Sequence, residues 1–160
     1  MFVVPCDKLG LGALGGGDSV GNAINDGGQV AGWSYTAGGV DVHATLWQNT
    51  AAIDLGTLGG SLSQAYGINK AGQVVGYSAL ANNAAYHATI WNDTTAIDLN
   101  TVLDSSGKGV ELITAAAIND PGQIVGEMAI TVNGNTNVRH AFLLTPINGS
   151  EKDEIGRAHV

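Results

Sequence analysis

The sequence predicts an all-β fold assembled from three copies of one unit. Three observations carry that reading. First, nearly the same stretch is written three times: AINDGGQVAG at Ala23 to Gly32, GINKAGQVVG at Gly67 to Gly76, and AINDPGQIVG at Ala117 to Gly126. Second, four landmarks repeat with one spacing of 44 residues. These are Ile24 and Ile68, HATLW at His43 and HATIW at His87, AIDL at Ala52 and Ala96, and LGALGG at Leu11 and LGTLGG at Leu55. Third, each copy holds short runs rich in β-branched and aromatic residues, bounded by Gly, Asn and Asp. No window carries a capped helical period.

Taken in order, residues 1–10 read as an N-terminal strand or partial blade. Repeat one spans 11–54, repeat two 55–99 and repeat three 100–146. In repeat two the strands are expected at QAYGIN, GQVVGYS, YHATIW and TTAIDL. The third copy is longer: Ile118 lies 50 residues after Ile68, and HAFLL begins at His140, 53 after His87. The extra residues fall in NTVLDSSGKGVEL and ITVNGNTN, polar or Gly-bearing stretches that read as loops. ELITAAAIN fills the first-strand slot. Residues 147–160 read as a disordered tail. Within it, one back-translation of EIGRAHV at 154–160 resembles a sequencing-library adapter, and the segment is expected to be read-through rather than fold.

The quoted stretch joins the first strand of each copy to the second. Gly28, Gly72 and Gly122 are expected at positive φ, which tight turns demand. Asn25, Asn69 and Asn119 sit where a side-chain amide can bond the local backbone. Pro121 favours the frame Asp120 to Gln123, a type II turn with Gly122 at its third position. The other two copies suit a type I turn with a Gly bulge.

Four strands per repeat of this length predict a β-propeller blade, with a β-trefoil as the alternative. Trefoil strands should alternate apolar and polar residues, whereas QVVGY, HATIW and TAIDL carry apolar or small residues on both faces. That favours blades stacked face to face. Propellers have about 4 to 8 blades, so three imply a segment of a larger ring or self-association through open blade faces.

Composition narrows the partners. The 160 residues are 12% charged and 44% hydrophobic, with six basic against 14 acidic residues and a formal charge of -8. Such a chain lacks the basic patches that nucleic acid or an anionic membrane requires. No run approaches the roughly 18 apolar residues of a membrane span. Cys6 is the only cysteine, so no intramolecular disulfide forms. The start MFVVPCDKLG lacks the basic region and apolar length of a signal peptide.

LGTLGGSLSQAYGINKAGQVVGYS followed by HATIW and AIDLN, together with HAF at His140 to Phe142, resembles the HAF-repeat family of extracellular bacterial proteins. The resemblance covers about Leu9 to Pro146. It implies a secreted or cell-surface β-rich array of more than three repeats, propeller-like, with no established activity.

His43, His87 and His140 recur once per repeat and could converge on a ligand or metal. The structural expectation is that each bonds backbone or hydroxyl groups within its own blade. No acid or Cys is read as travelling with them at fixed spacing, so no metal and no cofactor is expected. Asp54 and Asp98 are expected to cap the following Gly turns. Trp47 and Trp91 match between copies, as core residues or as exposed platforms for stacking a sugar. LGTLGG lacks the Lys-Ser/Thr and helix of a phosphate loop, and no Gly-x-Ser-x-Gly occurs. The expected function is a non-catalytic extracellular module for structure, adhesion or ligand binding, its partner a glycan or surface protein. The alternatives are part of a propeller enzyme whose site lies in other blades, and a trefoil lectin.

Overall fold

The computed structural model describes residues 7–132 and 135–147. Eleven strands follow one another: β1 (Gly15–Ile24), β2 (Val30–Thr36), β3 (Val42–Gln48), β4 (Ala51–Asp54), β5 (Gly59–Ile68), β6 (Val74–Leu80), β7 (Tyr86–Asn92), β8 (Thr95–Asp98), β9 (Val110–Ile118), β10 (Ile124–Val132) and β11 (Asn135–Leu144). The other regular elements are three short 3₁₀ turns, and the described residues contain no α-helix. The chain is all-β.

Strands β1 to β4 form an antiparallel meander, and β5 to β8 repeat it in the same register. The two meanders touch through one parallel pair, Val42 with Leu62, giving an eight-stranded assembly. A separate sheet holds β9, β10 and β11. Repeats one and two thus have four strands each, whereas repeat three shows three among the described residues. The sheets stay open, so the described residues close neither a propeller ring nor a trefoil barrel.

Three expectations need correction. Residues 7–10 carry no strand, and 1–6 lie outside the described residues. ITVNGNTN is not a separate loop, because β10 runs to Val132 and β11 starts at Asn135, extending the hairpin. Repeat three also does not use the turn frame that Pro121 pointed to. In all three copies the Gly amide donates to the Asn carbonyl three residues back: Gly28 to Asn25, Gly72 to Asn69 and Gly122 to Asn119, each at 3.0 Å. Pro121 therefore sits at the third turn position and Gly122 follows it. The Asn side chain outweighs the proline preference, since Asn119 Oδ1 accepts the Gln123 amide at 2.8 Å while its own amide donates to the Gln123 carbonyl at 3.1 Å. Gly28, Gly72 and Gly122 adopt φ of 75°, 82° and 86°. The tail beyond residue 147, including 154–160, lies outside the described residues.

Each first strand carries a bulge opposite a glycine of the second. Asn22 is the extra residue in β1 and Tyr66 in β5, facing Gly32 and Gly76. A Cβ on Gly76 would lie 1.9 Å from the Gln64 carbonyl oxygen. The bulge presses one backbone onto the other, leaving no room for a side chain and re-aiming the extra residue.

Two apolar clusters hold the three repeats together. Ala31, Ala44, Leu46 and Leu55 meet Ala65, Ile68, Val74 and Trp91 between repeats one and two. Val75, Ala88 and Leu99 meet Leu112, Ala115, Ile124, Met128 and Phe142 between repeats two and three. Repeat two is therefore buried on both faces, as the apolar character of both sides of QVVGY requires. The outer faces of repeats one and three have no such cover among the described residues: Ile24 is 68% exposed where its equivalent Ile68 is 8%.

Candidate functional site

The polar side chains that recur with the repeat gather at two levels of the stack. At the first, Asn25, Asn69 and Asn119 hold their hairpin turns. Each Nδ2 donates to the Oε1 of the glutamine four residues on, Gln29, Gln73 or Gln123, at 2.8 Å. Asn25 and Asn69 also use the second amide proton: Asn25 Nδ2 donates to the Asn69 carbonyl at 3.0 Å, and Asn69 Nδ2 to the Asn119 carbonyl at 3.2 Å. The turns thus form a ladder across all three repeats. The glutamines were legible in the quoted stretches, four residues after each Asn, but not their role.

At the second level, His43 on β3 places Nδ1 2.9 Å from both carboxylate oxygens of Asp54 at the end of β4. His87 on β7 places Nδ1 2.6 Å from Asp98 Oδ2. The expectation of backbone or hydroxyl partners for these rings is corrected: the partner is a carboxylate. An acid does travel with the histidine, eleven residues on in both copies. That spacing carries the chain down one strand, around the turn and back up its antiparallel neighbour. Asp54 and Asp98 also cap the next turn, accepting the amides of Gly56 at 2.8 Å and Asn100 at 2.9 Å.

Repeat two extends the pair toward repeat three. His87 Nε2 lies 3.2 Å from Oε1 of Glu111 on β9. Ionised carboxylates only accept, so both contacts are hydrogen bonds at once only when both ring nitrogens carry protons. Beside them, Asn100 Oδ1 accepts the Leu112 amide at 2.8 Å and Asn100 Nδ2 donates to the Leu112 carbonyl at 2.9 Å. Neither Asn100 nor Glu111 repeats at fixed spacing, so the repeat pattern could not single them out.

His140 departs from the set. It lies on β11 opposite Met128, is exposed, and lines an open cleft of about 300 Å³ with Gly126, Glu127, Arg139 and Ala141. Arg139 Nη1 and Glu127 Oε1 are 3.5 Å apart there. The three histidines thus occupy three separate repeats, on β3, β7 and β11. Among the described residues, no cluster of three or more His, Cys, Asp or Glu is arranged to hold a metal ion.

Trp47 and Trp91 are fully buried, and neither indole N–H has a hydrogen-bond partner among the described residues. The reading of these two as exposed sugar platforms is therefore corrected, because a buried ring presents no face to a ligand. The aromatic surface of repeat two is instead Tyr66, Tyr77 and Tyr86. Tyr77 stacks at a tilt on Tyr66 with ring centres 5.7 Å apart and meets Tyr86 edge-on at 5.6 Å. The bulge turns Tyr66 onto this cluster. Burial, then the neighbouring Tyr66, raises the Tyr77 phenol pKa well above its ordinary value.

Scans against protein-family models, curated proteins and solved structures return no match for this chain.

Proposed function

We propose that the chain is a non-catalytic extracellular β-repeat module of the HAF-repeat kind, and that its open stack belongs to a propeller-like array serving structure, adhesion or ligand binding. One observation carries the reading: the side chains that recur with the repeat bind strand to strand and repeat to repeat. Asn25 and Asn69 are used in the turn ladder, and Asp54 and Asp98 each hold a histidine and cap a turn. A His-Asp pair is also the base half of a nucleophilic triad. Here, however, no Ser, Thr or Cys side chain is hydrogen-bonded to the imidazole of His43 or His87 among the described residues; the Thr45 and Thr89 hydroxyls donate to the backbone carbonyls of those histidines instead. Face-to-face packing of successive sheets supports the propeller-like arrangement.

The test is turnover. The purified chain, assayed against chromogenic esters, glycosides and phosphates, is expected to give background rates only. Hydrolysis that disappears in His43→Asn or His87→Asn, with folding intact, would overturn the reading.

A second reading, glycan binding, is favoured by the tyrosine cluster, since Tyr86 is 45% exposed beside Tyr77. Binding on a glycan array that is lost in Tyr86→Ala would support it, and an unchanged binding profile would remove it.

A further inference from the structure

The contacts between repeats supply a template for what can cover the two outer faces. Going from repeat one to repeat two, the outgoing face offers Ala31, Ala44 and Leu46, and the incoming face offers Ala65, Ile68 and Val74. From repeat two to repeat three the same positions are used again: Val75, Ala88 and Ile90 meet Ala115, Ile118 and Ile124. The unmatched halves stand at opposite ends of the stack. Repeat three carries the outgoing set, with Val125 43% and Leu143 45% exposed, where Val75 at the position matching Val125 is 0%. Repeat one carries the incoming set, with Ile24 68% exposed.

The polar bonds are unmatched in the same sense. Asn69 and Asn119 each accept a neighbour's Nδ2 on the backbone carbonyl, whereas the Asn25 carbonyl accepts only its own turn's Gly28 amide among the described residues. Asn119 Nδ2 correspondingly donates only to its own Gln123 among the described residues. Ser63 Oγ donates to the Gly56 carbonyl and accepts the Ala44 amide of repeat one at 2.8 Å. Ser19 Oγ donates to the Gly12 carbonyl in the same way and takes no such amide among the described residues.

We infer that a second copy of this chain docks head to tail, its repeat one seated on repeat three of the first in the register the internal repeats already use. Val125 and Leu143 of one copy would cover Ile24 of the other, and Asn119 Nδ2 would bond the Asn25 carbonyl across the junction. The occupant is a second copy because the chain already shows this pair of faces joined twice. The contact is heterologous: the two surfaces differ, so copies chain end to end or close a ring. The inference extends the array reading but can fail separately, since turnover would remove the module without touching the stacking.

Sedimentation of the purified 160-residue chain over a hundredfold concentration range tests it. The unaltered chain is expected to sediment as dimers or larger species. Ile24→Lys and Val125→Lys alter exposed residues at opposite ends, and each alone is expected to be monomeric with an unchanged circular dichroism spectrum. Mixed in equal amounts they should form a dimer and nothing larger, because each retains the face the other has lost. A monomeric unaltered chain at the highest concentration would overturn the inference. So would self-association of either variant alone, or a mixture that stays monomeric.

Discussion

Asn69 Nδ2 donates to the carbonyl of Asn119, fifty residues further along the chain, while Asn69's own carbonyl receives the same bond from Asn25. Asn69 is buried and is the middle rung of the ladder. Asn69→Ala removes donors to Gln73 and Asn119 and the acceptor of the Gln73 amide. The expected loss is about 2–4 kcal/mol, several buried hydrogen bonds at roughly 1 kcal/mol each plus unmet partners. Asn119→Ala, at an exposed position, should lose about half as much. Urea unfolding of both variants decides; equal losses would break the ladder argument.

Gly72→Val should cost about 1–3 kcal/mol, because a β-branched residue is strained at φ of 82°. Its Cβ would also meet Gln29 Oε1 at 3.3 Å. Ala71→Val, one residue earlier in the same turn, should change stability by less than about 1 kcal/mol. Matching melting temperatures would contradict the turn geometry.

Gly76→Ala tests the bulge. No rotamer can relieve a Cβ placed 1.9 Å from the backbone oxygen of Gln64, so the strands must separate. The expected destabilisation exceeds that of Gly72→Ala, measured by chemical denaturation side by side. Comparable values would show that the two strands separate at little cost.

The two carboxylates on His87 should count unequally. Its pair with Asp98 is largely shielded, with side chains 16% and 15% exposed, whereas Glu111 is 48% exposed. A double-mutant cycle of His87 with Glu111 should give a coupling of about 0.2–1 kcal/mol that fades in 1 M salt. The cycle of His87 with Asp98 should give a larger coupling that survives the salt. Reversed magnitudes would contradict the burial argument.

Tyr77 makes alkaline stability a readout of the tyrosine cluster. Burial raises its phenol pKa in the folded chain, and the unfolded chain titrates near the ordinary value of about 10. The neutral form is therefore favoured by folding. Its contribution is fully present below pH 10 and is lost as pH rises beyond it, at up to about 1.4 kcal/mol per pH unit. Tyr77→Phe cannot ionise, so its stability should fall less steeply between pH 9.5 and 11. Parallel slopes for the two proteins would contradict the shift.

Repetition in the sequence determined the all-β class, the first-to-second strand hairpins and the positive-φ glycines. These are local consequences: a recurring Asn, Gly or β-branched run acts within a few residues, so its spacing reveals its role. Partner choice across 44 or 50 residues required the tertiary structure. Which carbonyl Asn25 reaches, that His43 finds Asp54, and that Glu111 meets His87 depend on how strands and sheets are juxtaposed. The His-Asp pairing was visible in principle as a fixed spacing of eleven, but only the antiparallel return of β4 onto β3 brings the two side chains together. The same limit applies to Trp47 and Trp91. A tryptophan recurring with the repeat suits a core or a platform equally, and only the folded structure decides that both are buried, Trp91 within the cluster between repeats one and two.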